Sequence, residues 1–280
     1  MEMALSQGER PETAHRTRRA HPMRQRPDAS ARVLRPLVTA VGLLVAWWIV
    51  VLVFRPEPWL LPSPVAVLAT MASSAGYLAH HASLTALEIA LGLALGTVLG
   101  VATALVVHAS AFARRWAMPL VVGSQALPVF AVAPLLMIWF GLGLGSKVAM
   151  ATLIIYFPIA SSLLDGLERV PRDWIDLART MGLSRGQTLR RVRLPAAMPS
   201  LASGLRVAAT LAPIGAVVGE WVGAAGGLGF VMTQANARLQ TDMTFAALLV
   251  LVLLVVVLRA AVNAALDALV FWSPKTDGTS

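Results

Sequence analysis

Six long apolar stretches, separated by short polar segments, dominate the hydrophobic pattern of the chain. The first, from Leu37 to Phe54, has eighteen residues without a charge, about the length that an α-helix needs to cross the hydrocarbon core of a bilayer. The pattern predicts an all-α fold: a polytopic membrane protein with about six transmembrane helices. The expected spans are residues 37–54, 83–107, 116–140, 148–164, 199–220 and 243–266.

Glycine and proline positions modify two of these spans. Glycine occupies every fourth position from 92 to 100 in the second span, a spacing that lets a neighbouring helix approach closely in lipid. The third apolar segment, residues 116–145, is long for one span and contains Pro128, Pro134 and several glycines. We therefore expect a tilted or kinked third helix with an irregular end.

Composition supports a membrane location. Of the 280 residues, 57% are hydrophobic and 13% are charged, whereas water-soluble domains typically carry about twice that charged fraction. The chain contains no cysteine, which excludes disulfides, thiol catalysis and cysteine-bound metals. The distribution of apolar runs predicts one continuous membrane unit, residues 37–272, between a basic arm of residues 1–36 and a short tail of residues 273–280.

Basic residues are distributed unequally between the two sides of the predicted topology. If the N-terminus is cytoplasmic, the cytoplasmic segments contain eighteen arginines and lysines, and the opposite side has only Arg55, Lys147 and Arg238. Because cytoplasmic loops are rich in arginine and lysine, both termini are predicted to face the cytoplasm. No small-residue cleavage site follows Phe54, so the arm and first span are predicted to form a signal anchor.

The loop of residues 165–198 is too polar to enter the bilayer. It contains seven arginines, and burying them in hydrocarbon would cost about 2.5–3.5 kcal/mol each, roughly 17–25 kcal/mol together. Pro171 suits the start of a short helix, and Gly182 suits its end with a positive φ. Ser184 begins a capping box for a second helix, and Leu194-Pro195 marks the expected end of that helix. On these residues alone, the hairpin either merely joins two spans or packs on a partner.

The sequence DLARTMGLSRGQTLRRVRLPAAMPS, which begins at Asp176, closely resembles the cytoplasmic loop of bacterial ATP-binding-cassette (ABC) importer permeases. In that family the loop has Glu-Ala-Ala, three residues, a glycine, and a variable stretch that ends in a hydrophobic residue, one more residue and Leu-Pro. Aspartate and leucine replace the first glutamate and alanine here. The matching positions are Asp176, Leu177, Ala178, Gly182, Val192, Leu194 and Pro195.

The resemblance extends over about residues 35–272. LLPSPVAV after the first span, WFGLGLGSKV before the fourth and GEWVGAAGGLGFVM after the fifth are similar to the nitrate/sulfonate/taurine-type group of these permeases. QALPVFAVAPLLMIWFGLGLGSK and IIYFPIASSLLDGL are most similar to members assigned to pyrimidine precursors of thiamine. The resemblance therefore implies an importer permease of the bacterial inner membrane that carries a sulfonate-, taurine- or nitrate-type anion or such a pyrimidine.

The resemblance also implies partners. Residues 165–198 would dock on a separate ATPase subunit, which would bind ATP and Mg, so that this chain binds no cofactor. A second permease copy, most simply in a homodimer, would complete the pathway, and a periplasmic or lipid-anchored binding protein would deliver the solute. Membrane lipid is the other expected partner, and nucleic acid is not one. GLGLGSK does not alter this expectation, because a serine separates Gly145 from Lys147 and breaks the Walker A pattern.

Ionisable residues inside the predicted spans are the candidates for a solute pathway. They are Glu88, Arg206 and Glu220. Glu88 is expected to pair with another charge, whereas Glu220 either lines a vestibule or caps backbone in a re-entrant turn. His80 and His81 are expected to form a solvated pair in an outer loop. No converging catalytic residues or metal ligands are found within the spans, so neither a catalytic nor a metal site is predicted.

A stand-alone, ion-coupled secondary transporter is the alternative function. That class favours more intramembrane charges and an inverted repeat. Neither feature is clear in the sequence, so an importer permease driven by ATP is the leading hypothesis.

Overall fold

The computed structural model describes residues 29–124, 128–223 and 225–272, with side chains described except at 29–37 and 120. Most of the predicted basic arm and all of the predicted tail, residues 273–280, therefore lie outside the described residues. Two compact units make up the chain, residues 1–46 and residues 47–280. In the first unit, the described residues belong to helix α1, Ala29–Phe54.

The second unit is helical throughout, with no strand among its described residues. After the last turns of α1, its α-helices follow in chain order, with one π-helical turn, Leu189–Arg193, between α8 and α9. The helices are α2 (Pro64–Ser73), α3 (Ala75–Ala109), α4 (Ala111–Gly123), α5 (Val129–Phe140), α6 (Leu144–Glu168), α7 (Arg172–Thr180), α8 (Arg185–Thr188), α9 (Leu194–Gly223), α10 (Leu228–Ala237) and α11 (Thr241–Leu269).

Four helical segments of the described chain are long and apolar enough to cross a membrane: α3, α6, the continuous segment Arg185–Gly223, and α11. Shorter apolar helices lie at Val38–Phe54, Pro64–Ser73 and Val129–Phe140. The all-α, multi-helix membrane fold expected from the sequence is confirmed. The second, fourth, fifth and sixth predicted spans each fall within a long helix, while the first and third coincide with shorter ones.

Helices α3, α6 and α9 pack closely at the centre of the second unit. A Cβ atom placed on Gly92 would lie 2.5 Å from Ala151 Cβ, and one placed on Gly96 would lie 2.6 Å from Ile155 Cγ1. The side chain of Ile155 is fully buried in the main apolar cluster, which α3, α6 and α9 share. The close helix approach predicted from the glycine spacing is therefore confirmed, and α6 is the helix that approaches.

The third predicted span, expected as one tilted or kinked helix over residues 116–140, is divided between two helices. Two helices, α4 and α5, occupy this region, and Pro128 is the residue immediately before α5. Pro128 has the extended backbone of an N-cap residue, with a ψ of 116°, whereas Pro119 and Pro134 lie inside α4 and α5.

The predicted helix end at Leu194-Pro195 is wrong. The π-helical turn is followed directly by α9, so that the hairpin and the fifth span share one helical segment, Arg185–Gly223. The amide of Leu194 bonds to the carbonyl of Leu189, five residues earlier. Because Pro195 has no N–H and crowds the carbonyl four residues before it, the wider turn accommodates the proline where a regular turn would break.

Two short helices, α2 and α10, were not expected from the sequence. The first has a local signal, since Ser63 Oγ accepts a hydrogen bond from the Ala66 amide at 3.2 Å and Pro64 occupies the first helical position. Helix α10 begins after Gly227, which has a φ of 109°. Both helices border the apolar cluster that includes Val67, Leu228 and residues of α11.

Candidate functional site

The hairpin between α6 and α9 is built by local hydrogen bonds. Gly182 has a φ of 77°. Its amide donates a hydrogen bond to the carbonyl of Arg179, and the amide of Leu183 donates one to the carbonyl of Ala178. These two bonds form a Schellman motif that ends α7. Ser184 and Gln187 then form a reciprocal capping box at the start of α8. The predicted glycine turn and capping box are both confirmed.

Helix α7 has one apolar face that the second unit leaves uncovered. The side chains of Trp174, Leu177 and Met181 are 54%, 61% and 71% exposed, respectively. Their spacing of three and then four residues places them on the same face of the helix. Ala178, by contrast, is buried against the protein. Three large apolar side chains on a short polar hairpin form a surface typical of a protein contact.

The other residues of the loop motif have different environments. Asp176 is exposed and forms an ion pair with Arg179 at 3.2 Å. Val192 belongs to the π-helical turn and is half-buried, whereas Pro195 is exposed. Leu194 packs against the main apolar cluster, so the end of the motif ties the hairpin to the membrane helices.

A second candidate region is a buried polar network among α3, α6 and α9. Glu88 of α3 and Lys147 of α6 form an ion pair at 2.7 Å, and both side chains are more than nine-tenths buried. Lys147 Nζ also donates a hydrogen bond to the carbonyl of Gly226 at 3.2 Å. The pairing expected for Glu88 is confirmed, and Lys147 lies inside α6 rather than in an exposed outer segment.

Glu220 occupies the other half of this network. Its Oε1 accepts a hydrogen bond from Thr85 Oγ1 at 2.7 Å, and its Oε2 accepts one from the amide of Gly229 in the first turn of α10. A carboxylate at a helix N-terminus compensates the unpaired amides and the positive end of the helix dipole. The buried Glu220 therefore caps backbone amides, which is one of the two roles expected from the sequence. Its contact with a solute pathway, the other role, stays a prediction.

The glycines after α9 leave room for this capping arrangement. A Cβ atom on Gly227 would overlap the carboxylate of Glu220, so no larger residue fits there. The amide of Gly227 donates to His81 Nδ1 at 3.0 Å, and the amide of Leu228 donates to Thr85 Oγ1 at 2.8 Å. His81 belongs to α3 and its side chain is buried, so the prediction of a solvated histidine pair is wrong for this residue.

Arg206, the third ionisable residue of the spans, does not join this network. Its Nε donates to Asn263 Oδ1 at 3.2 Å, and one of its terminal nitrogens pairs with Asp267 Oδ1 at 3.0 Å. Both partners belong to α11, and the side chains of Arg206 and Asp267 are 39% and 49% exposed. Arg206 thus links α9 to α11, and its proposed place in a solute pathway remains a prediction.

Sequence reasoning did not place three members of the network in a buried polar site: Thr85, His81 and Lys147. One signal was available, because His81, Thr85 and Glu88 are four and then three residues apart and share a face of α3. A polar stripe at that spacing within a long apolar helix indicates contact with other polar groups inside the protein. The partners on α6 and α9 had no comparable local signal.

The long apolar helices, the buried intramembrane charges and the exposed apolar hairpin define a polytopic membrane transport protein. Comparison with known proteins specifies the class further. Residues 96–272 match the family model described as "Binding-protein-dependent transport system inner membrane component". The chain belongs to this family and is the permease subunit of an ABC importer.

Individual relatives agree with this family. A "Probable ABC transporter permease protein" of Haemophilus influenzae is 48% identical over 221 residues, which are 79% of this chain and 90% of the relative. The "Formylaminopyrimidine transport permease protein ThiX" of Halalkalibacterium halodurans is 36% identical over an alignment that covers 88% of this chain and 98% of that relative. An inward-facing structure of the MetNI methionine ABC transporter shares the fold, with a TM-score of 0.61, 23% identity and coverage of 68% of this chain and 95% of that one.

Proposed function

We propose that residues 165–198 couple this permease to a separate ATPase subunit, in which ATP and Mg are bound and ATP is hydrolysed. The exposed apolar face of α7, formed by Trp174, Leu177 and Met181, is the observation that carries the proposal. Docking of this face in a groove of the partner would remove these side chains from water. Each fully buried large side chain would stabilise the complex by about 1.5–3 kcal/mol. The motif residues Gly182, Leu194 and Pro195 hold the hairpin in the geometry that presents this face.

The continuous helical segment Arg185–Gly223 supports a route for the coupling. Its 39 residues would extend about 58 Å as a regular helix. The hairpin lies at one end, and Glu220, bonded to α3 and α10, lies near the other. Closure of two ATPase subunits would thus move the hairpin and, through one packed segment, change the packing around the buried network.

We further propose a pathway formed by two copies of this chain, with both termini in the cytoplasm. The excess of arginine and lysine on the loop side supports this orientation. A two-fold homodimer is the simplest closed arrangement of identical subunits, and it places two hairpins on the same side of the membrane. An external binding protein, periplasmic or lipid-anchored, would deliver the solute to the opposite side.

For the solute, we propose a pyrimidine related to thiamine precursors. The 36% identity to a permease named for formylaminopyrimidine, over nearly all of that relative's length, supports this assignment. Uptake of labelled formylaminopyrimidine into proteoliposomes that contain the permease, its ATPase and its binding protein would test it. ATP-dependent uptake of taurine, a sulfonate or nitrate instead of the pyrimidine would contradict the assignment.

The coupling proposal is tested by placing a charge on the apolar face of α7. Leu177→Asp should weaken binding of the purified ATPase subunit to the permease in nanodiscs by at least about tenfold, as expected for loss of an interface anchor. Ala111→Asp is the matched control, because it adds an acid at an exposed position in the first turn of α4, outside the hairpin. Equal ATPase affinity of the two variants would exclude α7 as the docking surface.

A further inference from the structure

A cavity of about 400 Å³ lies beneath the hairpin, at the end of α3, within the size range of small-ligand sites. Its basic lining residues are His108, Arg179, Arg185 and Arg193, and no acidic residue is among the described residues that line it. The rest of the lining is largely apolar, with Ile175 and other side chains from the hairpin. The cavity therefore combines positive charge with an apolar wall, which suits an anionic amphiphile.

Two of the arginines in this cavity have no carboxylate partner among the described residues. Among the described residues, no carboxylate pairs with Arg185 or Arg193. Arg193 contacts the His108 ring at 2.7 Å between Nη1 and Nε2, and since arginine can only donate, Nε2 accepts. The carboxylate of Glu168 is held by Arg114 at 2.6 Å. Arg185 and Arg193 thus bring two positive charges to the cavity without a paired carboxylate, and the carbonyl end of α3 offsets only part of this charge.

The cavity also adjoins an exposed apolar side chain of α3. Val106 and Ala109, three residues apart, share one face of α3; Val106 is 58% exposed, and Ala109 lines the cavity. An acyl chain that lies along α3 over Val106 would bring its headgroup to the arginines. The cavity lies on the side of α7 that includes Ile175 and Arg179, more than a quarter turn from the exposed face of Leu177. A headgroup and a partner on the Leu177 face can therefore be bound together.

We propose that this cavity binds the phosphate of an anionic phospholipid headgroup, held by the guanidinium groups of Arg185 and Arg193. Guanidinium groups match phosphate oxygens in pairs, and basic pockets at the ends of transmembrane helices suit anionic headgroups. Free inorganic phosphate has the same recognition chemistry, but it would not use the apolar wall. The proposal is independent of the ATPase docking described above, and the full-length permease alone is sufficient to test it.

Native mass spectrometry of the purified full-length chain, titrated with phosphatidylglycerol or phosphatidylcholine, gives the dissociation constant of each lipid. Phosphatidylglycerol should bind at least fivefold more tightly than phosphatidylcholine. Arg185→Gln should weaken phosphatidylglycerol binding about fivefold, and the Arg185→Gln/Arg193→Gln variant about thirtyfold, from about 1 kcal/mol for each arginine. Arg115→Gln, an exposed position on α4 outside the cavity, should leave the affinity unchanged.

A second arm separates lipid from free anion. Millimolar inorganic phosphate should not displace bound phosphatidylglycerol. If phosphate displaces it and the two lipids bind equally well, the cavity takes a free anion and the lipid assignment is overturned. If the double variant binds phosphatidylglycerol as tightly as the native chain, the cavity is not the headgroup site. Arg185→Lys, which keeps the charge but not the planar fork, should retain an intermediate affinity.

Discussion

The close contact of α3 with α6 gives a sharp prediction for the packing of the membrane helices. In Gly92→Ala, the new methyl group would lie 2.5 Å from Ala151 Cβ and 3.6 Å from Ala151 Cα. Ala151 is fully buried and has no side-chain torsion that could move its Cβ away. The two helix backbones must therefore separate to admit one methyl group.

The matched control lies on the same helix. A Cβ atom placed on Gly76 would have no atom of the described residues within 4 Å, so Gly76→Ala adds a methyl group without a close contact there. Alanine in place of a helical glycine stabilises by roughly 0.5–1 kcal/mol, whereas overpacking a core costs about 1–3 kcal/mol. We expect Gly76→Ala to raise the free energy of unfolding by up to about 1 kcal/mol. Gly92→Ala should lower it by a net amount of about 1–2 kcal/mol.

Unfolding of the purified protein from mixed micelles by a denaturing detergent, followed by helical circular dichroism, measures this difference. Ala151→Gly removes the opposing methyl group, so the double variant Gly92→Ala/Ala151→Gly should recover most of the loss that Gly92→Ala causes. A coupling energy of about 1–2 kcal/mol between the two positions is the expected signature. If Gly92→Ala proves as stable as Gly76→Ala, the two helices do not pack at Gly92, and the reasoning fails.

Two further predictions concern the buried ion pair and the hairpin turn. Lys147→Met should lower the free energy of unfolding by about 3–5 kcal/mol, because it leaves the buried Glu88 carboxylate without its partner. The double variant Lys147→Met/Glu88→Leu should recover most of that loss in the same detergent titration. A single Lys147→Met variant with native stability would contradict this. Gly182→Val should reduce ATPase activity stimulated by substrate and binding protein by about fivefold or more, because a φ of 77° strains a β-branched residue by about 1–3 kcal/mol. Gly182→Asn should keep most of the activity, since asparagine tolerates that conformation, and membrane insertion, checked by the yield of monodisperse protein, should be native in both. Full activity of the valine variant would remove the turn from the coupling mechanism.

The hairpin shows how far local sequence signals reach. Gly182 and the capping box from Ser184 each act within about five residues, so the sequence predicted the turn and the start of α8. The continuation of α8 into α9 was not predictable in this way, because Pro195 alone indicates a helix end. The wider π-helical turn that accommodates the proline lets the helix continue past it, and this turn was not predicted from the sequence.

The buried network shows where local signals end. Glu88 pairs with Lys147, 59 residues away, and Thr85 bonds to Glu220, 135 residues away. Sequence alone marked Glu88 and Glu220 as unusual charges in apolar helices, but it identified no partner for either of them. Identifying those partners required the packing of α3, α6 and α9, since only close backbones bring the buried groups within hydrogen-bond distance.

The sequence by itself determined the all-α membrane class, the polar character of the hairpin, its turn and capping residues, and the glycine face of α3. These properties depend on hydrophobicity and backbone preference, which each short segment carries alone. Tertiary structure decided which helix meets that glycine face, how Glu220 holds the turn before α10, and that His81 and Lys147 are buried. These features depend on contacts between distant segments, because a buried polar group is stable only where folding brings it a partner.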